Sequence, residues 1–357
     1  MKIVIIANSS KGLYGFRQEL IAALLKENKV CAYTQNNGSV EELIELGCGV
    51  KELNIDRRGI DPVKDFNLIR TIKKILKIEK PDLVITYTIK PNIYGGMICR
   101  LLNIPYAINI TGLGTAFQNN GLLKTIVAKL YKIALKNARV VFFENEENRQ
   151  IFIREKIVKE SQTHRLNGAG VNLERYQVAE YPLGDRTKFL FMGRVMAEKG
   201  IDDLFAAMRR LLSDGVNCEL DVLGGYEEDY KDKIEQGEKE GWLHYWGYQK
   251  DVKPFIEAAH CFVLPSWHEG MANTNLESAS SGRPVITTNI HGCLEAVEDG
   301  VTGYLVEKKN SDDLYRAMKT FAGLSFEKRK EMGLAGRKRM EKLFDKKNVV
   351  ENTISRL

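Results

Sequence analysis

Apolar residues along the chain fall into two alternating kinds of segment: short runs, and longer stretches where they recur at every third or fourth position. The runs predict strands at Lys2–Ala7, Lys29–Gln35, Asp82–Thr86, Pro105–Ile110 and Arg139–Glu144. The helical spacing predicts helices at Phe16–Lys26, Pro62–Ile78, Pro91–Leu102 and Leu122–Lys136. Strand and helix in strict alternation indicate an α/β unit with a parallel sheet covered on both faces. The pattern breaks at Tyr181-Pro182-Leu183-Gly184-Asp185, a turn-forming stretch, and then restarts. Strands are predicted at Lys188–Met192, Glu219–Leu223, His260–Leu264, Pro284–Thr288 and Thr302–Val306. Helices are predicted at Gly200–Leu212, Asp229–Glu240, Val252–Ala259 and Thr274–Ser281.

Two doubly wound units in series are therefore expected. Residues 1–180 form the first domain and 184–335 the second, while 336–357 form a terminal helix packing back toward the first. In such sheets ligands bind beyond the carboxyl ends of the strands, so loops of both domains are expected to face one shared cleft.

Two of those loops carry candidate chemistry. Gly193-Arg194 and Lys199-Gly200 follow the first strand of the second domain. Arginine offers a planar fork to phosphate oxygens and lysine a point charge, a combination suited to a diphosphate. Two ordinary surface cations are the plainer reading. The second loop is Leu264-Pro265-Ser266-Trp267-His268-Glu269-Gly270-Met271-Ala272-Asn273-Thr274, leading into a helix that contains Glu277. A carboxylate at a strand's carboxyl end points into the cleft, although a solvated loop glutamate is common, and a helix start presents unpaired N–H groups to a phosphate. Thr274 and Glu277 also fit a capping box, in which Glu277 only satisfies a backbone donor.

Composition and charge narrow the class. The chain has 357 residues, 44% hydrophobic and 28% charged, as a two-domain globular protein would. No window approaches the ~18–20 apolar residues of a spanning helix, and the opening run is too short for a secretory signal, so a cytoplasmic location is expected. The six cysteines are scattered and read as buried free thiols. The histidines show no ligand spacing and no DxD triplet occurs, so no metal site is expected. The net charge of +6 is uneven: residues 1–180 hold 27 Lys and Arg against 18 Asp and Glu, the remainder 26 against 29. A basic first half points to an anionic partner. Two of its helices mix cations with apolar residues: one with Arg70, Lys73, Lys74 and Lys77, the other with Lys124, Lys129, Lys132 and Lys136. Each is a candidate for an anionic membrane surface, and each could equally be a core helix with a solvated basic face.

Gly193-Arg194…Lys199-Gly200, then Pro265-Ser266…Glu269-Gly270…Glu277…Gly282-Arg283-Pro284, resembles the motif set of glycosyltransferase family 4, the retaining enzymes of GT-B fold. In the first half, Gly12-Leu13-Tyr14-Gly15-Phe16-Arg17, Tyr87-Thr88-Ile89-Lys90-Pro91-Asn92 and Ile110-Thr111-Gly112 resemble the subgroup that assembles bacterial capsules, O-antigens and N-glycans. The resemblance implies two Rossmann-like domains, nucleotide-sugar binding in the second and acceptor binding in the first. It implies that Arg194 and Lys199 grip the diphosphate, joined by the backbone of Met271, Ala272 and Asn273 with Gly270 and Thr274. Glu269 would bond donor-sugar hydroxyls and Glu277 the ribose, with Tyr248 bordering the base. Gly12 and Gly15 would let a loop close over the phosphates, while Arg17, Lys90 and Thr111 line the acceptor side. Some relatives carry a histidine after the fifth strand; this chain has Asn109-Ile110-Thr111-Gly112 there, so no histidine role carries over.

The implied reaction is metal-independent, retaining transfer from a UDP-sugar. The sugar is expected to be an N-acetylhexosamine such as GalNAc or GlcNAc, or another hexose. The implied acceptor is an undecaprenyl-diphosphate-linked saccharide at the inner face of the cytoplasmic membrane. A UDP-sugar epimerase would share fold and nucleotide grip but needs no lipid-facing basic domain. A nicotinamide dehydrogenase lacks its GxGxxG after the first strand. A non-enzymatic sugar-binding module fits the architecture but would carry an export signal. Nucleic-acid binding lacks an aromatic-basic face.

Overall fold

The structure is a computed structural model that describes the whole chain except residues 57–60, 115–116 and 118–120. Contacts divide it into two units: Met1–Ala169 with Lys347–Leu357, and Gly170–Lys346.

The first unit runs β1 (Lys2–Ile6), α1 (Ser10–Leu25), β2 (Lys29–Thr34), α2 (Val40–Glu45), β3 (Gly49–Glu52), α3 (Pro62–Glu79) and β4 (Leu83–Tyr87). A wide turn of π type over Pro91–Gly95 leads into α4 (Gly96–Leu102), followed by β5 (Tyr106–Ile110), α5 (Leu122–Leu135), β6 (Val140–Phe143), α6 (Glu146–Arg154) and β7 (Thr163–Arg165). All strands are parallel, in the order β3-β2-β1-β4-β5-β6-β7. The period of two within β1 divides its side chains between two cores. Ile3 and Ile5 pack with Leu13, Leu20 and Ile21 of α1, whereas Val4 and Ile6 pack with Leu68, Ile72 and Leu76 of α3.

The second unit repeats the plan with β8 (Thr187–Met192), α7 (Ile201–Ser213), β9 (Cys218–Leu223), α8 (Lys231–Lys239), β10 (Leu243–Gly247), α9 (Lys253–Ala258) and β11 (Cys261–Leu264). Then come α10 (Asn273–Ser280), β12 (Val285–Thr288), β13 (Gly303–Val306), α11 (Ser311–Ala322) and α12 (Phe326–Leu343). Its sheet is also parallel, in the order β10-β9-β8-β11-β12-β13. The last helix, α13 (Lys346–Ile354), starts at the final residue of this unit. Its Val349 packs in the first unit with Ala107, Val140, Phe142 and Leu166.

The pattern-based strands lie where expected, and the differences have physical causes. β3, β7 and β10 gave no apolar run because each is a sheet edge, short and half-solvated. α1 starts six residues before the predicted Phe16, since Ser9 caps it by accepting the Gly12 N–H at 2.9 Å. Gly12 and Gly15 therefore lie inside a helix, not in the closing loop expected of them. All six cysteines are free thiols.

Candidate functional site

The strand order of the second sheet reverses at β8: the chain steps outward to β9 and β10, then returns to β11 on the other side. A crevice outside the carboxyl ends of the strands forms at such a point. The loops after β8 and β11 leave the sheet there, and these are the loops that hold Arg194, Lys199 and Glu269.

Close backbone contacts draw the two loops together. Gly200 has φ +70°, and a Cβ on it would stand 2.1 Å from the Pro265 carbonyl oxygen. The Trp267 N–H donates to the Glu198 carbonyl at 2.8 Å, and the Trp267 indole donates to Asp203 at 3.0 Å. Lys199 is thereby placed on Glu269: its Nζ bonds Oε1, and both side chains are largely buried. Ser266 Oγ donates to the same oxygen at 2.8 Å. Burial, with the Glu269 charge nearby, pushes the neighbouring Cys293 thiol up to about 12.

Arg194 is held differently. Its Nη1 is buried without a hydrogen bond, 3.4 Å from Glu227 Oε2. Gly193 has an ordinary φ, and a Cβ there would meet the Phe191 ring at 3.4 Å and Leu264 Cδ1 at 4.0 Å. The glycine this turn requires is Gly224 (φ +137°), whose Cβ would lie 1.8 Å from the Gly193 carbonyl oxygen.

At the start of α10 the expected capping box does not form. The N-cap is Ala272, without a side-chain cap, so Thr274 lies within the helix. The Ala272 N–H donates to the Gly292 carbonyl at 2.7 Å and the Asn273 N–H to the Met271 carbonyl at 3.0 Å. Two of the three N–H groups expected to meet a phosphate are thus engaged within the protein. Gly292 backs the loop closely, since a Cβ there would lie 2.7 Å from the Glu269 carbonyl and 2.8 Å from that of Gly270.

Glu277 instead hydrogen-bonds the Tyr176 hydroxyl, with Lys346 and Arg175 nearby. Burial outweighs those cations and pushes its carboxyl up to about 7. A carboxylate raised in this way is protonated below pH 7 and ionised above it. Its contribution to folding stability is present below the ordinary carboxylate range and is lost as pH rises through 7. A ribose diol donates hydrogen bonds best to the ionised form. Under the ribose-binding role that the resemblance implies for Glu277, affinity for a UDP-sugar, whose diphosphate diester does not titrate near neutrality, is expected to rise several-fold from pH 6 to 8. Glu277→Gln should flatten that rise, as titration calorimetry across the range would show. Tyr248 is exposed, one residue past β10.

In the first unit, Arg17 forms an ion pair with Glu144; both are buried, and the guanidinium lies 5.2 Å from the centre of the Tyr87 ring. Lys90 Nζ lies 2.7 Å from Asp65 Oδ1. Thr111 directly follows β5. Thr88 sits at φ +73°, and the buried Tyr87 hydroxyl and Thr88 Oγ1 have no hydrogen-bond partner among the described residues. The partners Glu144, Asp65, Glu227 and Tyr176 were not singled out in the sequence, and Ser266 entered only as part of the motif, with no role. Glu144 carried the clearest signal, a carboxylate immediately after a strand. Among the described residues no group of three or more His, Cys, Asp or Glu is placed to hold a metal ion.

Two parallel doubly wound sheets with chemistry at the reversal point of the second define the GT-B class, and the comparisons agree. Residues 186–322 match the model for "Glycosyl transferases group 1" and residues 2–145 that for "Glycosyl transferase 4-like", together more than half of the chain. The N,N'-diacetylbacillosaminyl-diphospho-undecaprenol alpha-1,3-N-acetylgalactosaminyltransferase of Campylobacter jejuni is 25% identical, over 88% of this chain and 87% of its own. The UDP-Gal:alpha-D-GlcNAc-diphosphoundecaprenol alpha-1,3-galactosyltransferase of Escherichia coli is 29% identical, over 73% of this chain and 71% of its own. The solved structure of Anabaena HepE in complex with UDP-glucose matches with a TM-score of 0.82 at 17% identity, covering 100% of both chains. The chain belongs to the family 4 glycosyltransferases, enzymes of GT-B fold.

Proposed function

We propose that the protein transfers a sugar, with retention and without a metal, from a UDP-sugar to a lipid-diphosphate-linked saccharide. An N-acetylhexosamine such as GalNAc or GlcNAc is the favoured sugar, another hexose the alternative, and undecaprenyl diphosphate the favoured carrier. Two relatives that span most of the chain have a diphospho-undecaprenol acceptor in their names, one with transfer of N-acetylgalactosamine and the other with UDP-Gal as donor. The observation that carries the reading is the Lys199–Glu269 pair at the reversal point of the second sheet, with Arg194 on the same loop as Lys199.

The second unit takes the donor. Breaking the glycosyl–phosphate bond puts negative charge on the leaving diphosphate, which Arg194 and Lys199 absorb. A well-aimed donor in such a site is worth ~3–4 kcal/mol of barrier, against ~0.3–1 kcal/mol for an exposed helix-end interaction. The two cations therefore outweigh the start of α10, where N–H groups are already engaged. Glu269 accepts a hydroxyl of the donor sugar and steadies the developing positive charge. The leaving phosphate takes the acceptor proton, and the acceptor attacks from the same face. The first unit takes the acceptor, with Arg17, Lys90 and Thr111 on its side.

Incubating a panel of UDP-sugars with an undecaprenyl-diphosphate saccharide tests the reading by mass spectrometry. The expected product gains one sugar residue, and donor alone stays unchanged. Conversion of the donor sugar without acceptor would indicate an epimerase instead.

The acceptor's carrier requires approach to a membrane, and no helix among the described residues is long and apolar enough to cross one. Of the two basic helices, α3 commits its Leu68, Ile72 and Leu76 to the core, exposes Val63, Phe66 and Ile78, and carries the acidic Asp65 and Glu79. By contrast, α5 exposes Leu122, Leu123, Ile126 and Ile133 beside exposed Lys129, Lys132 and Lys136, and it contains no acidic residue. This is the face of an interfacial helix, and it supports peripheral association with an anionic membrane at its cytoplasmic face. Each lysine near such a surface is worth ~1 kcal/mol. Replacing all three by glutamate should lower the fraction floating with anionic liposomes ~100-fold or more in partition. Equal recovery of wild type in the soluble fraction at low and high salt would remove this part of the reading.

A further inference from the structure

Both donors to Glu269 converge on one oxygen. Lys199 Nζ and Ser266 Oγ meet Oε1, while Oε2 has no hydrogen-bond or ion-pair partner among the described residues. The two donors differ in how firmly they are held. Lys199 ends a flexible stem on a short turn, and its ammonium has three donors to share. Ser266 is fully buried two residues past β11, and its carbonyl accepts the Thr288 hydroxyl at 2.5 Å. Thr288 ends β12, the strand paired with β11, so Ser266 is tied to the sheet itself.

We infer that Ser266 is the positioning residue of the donor-sugar site: it holds Oε1 of Glu269 so that Oε2 alone is presented to a hydroxyl of the donor sugar. This rests on the donor-site reading given above. The arrangement resolves a conflict in that reading, because Lys199 is asked to serve both the carboxylate and the diphosphate. When the ammonium turns toward phosphate oxygens, the Ser266 hydrogen bond remains and Glu269 does not rotate. A fixed Oε1 also leaves one lone oxygen for the sugar, so Glu269 contacts it through a single acceptor and not as a two-pronged clamp.

The test uses the full chain with Ser266→Ala, Ser266→Thr and Ser266→Cys, alone and with Glu269→Gln. Readouts are UDP affinity by calorimetry, then kcat and KM for the UDP-sugar. UDP carries no donor sugar for Oε2 to meet, so Ser266→Ala should bind it within twofold of wild type while kcat falls ~10–100-fold. Ser266→Thr, which keeps the hydroxyl, should recover most of that loss. Ser266→Cys keeps the volume with a weak donor and should behave as alanine does, which also serves if the alanine variant does not fold. With Glu269→Gln present, Ser266→Ala should cost less than about threefold more. The inference is overturned if Ser266→Ala and Ser266→Cys keep kcat within threefold, or if the serine and glutamate losses simply multiply. A wild-type chain that binds no UDP would instead overturn the donor-site reading itself.

Discussion

Glu269→Gln is expected to lower turnover at saturating donor by at least ~100-fold while the protein stays folded. The amide keeps the volume and can still accept from Ser266, but it cannot carry the charge that balances Lys199. Lys199 is only slightly exposed, so its ammonium would lose the counter-ion paired with it in a partly dehydrated site. The amide also offers the sugar a weaker acceptor just as positive charge develops at the anomeric carbon. The two effects act together, which is why a change of one atom should remove most of the rate. Steady-state kcat at saturating UDP-sugar checks this, with a melting curve as the folding control. Near-full turnover would make Glu269 irrelevant to the chemistry.

Gly200→Ala is expected to be among the most damaging small substitutions near the site. A left-handed backbone costs an L-residue ~1–2 kcal/mol, and the added Cβ would stand 2.1 Å from the Pro265 carbonyl oxygen, so backbone must move. The combined cost should be roughly 3–5 kcal/mol, a fall in melting temperature of about 6–20 °C for a domain of this size. The displaced loop carries Lys199, so kcat should fall with stability. Gly193→Ala is the control. Its φ is ordinary and its nearest contact is the edge of the Phe191 ring, so its melting temperature should move by no more than about 3 °C. Scanning calorimetry of the two variants distinguishes them, and equal melting temperatures would contradict the loop geometry.

That pair also marks where the sequence stops being legible. Gly193 and Gly200 stand in the same motif, and only folding shows that the second bears the close approach to Pro265. The central strands were readable because both of their faces are apolar. The edges β3, β7 and β10 were not, since half of each faces water. Arg194, Lys199 and Glu269 could be picked out as residues beyond strand ends, and the fold does bring Lys199 to Glu269. Glu144 could not be paired with Arg17, because an ion pair spanning 127 positions depends on strand order, not on local pattern. Ser266 stands only three positions from Glu269, but which side chain its hydroxyl meets depends on the loop's fold. α3 and α5 both expose apolar residues, Val63, Phe66 and Ile78 on the first and Leu122, Leu123, Ile126 and Ile133 on the second, and what separates them is that α5 has no acidic residue among its lysines.

Fixed protein cations, in place of a bound ion, are the heart of the proposed chemistry. Titration calorimetry of UDP in the presence of a chelator addresses this directly, using wild type, Arg194→Ala and Lys199→Ala. Wild type should bind with the same affinity after magnesium or manganese is added, and each variant should bind at least ~10-fold more weakly. Binding that disappears with chelator and returns with metal, or variants that bind as wild type does, would contradict the account.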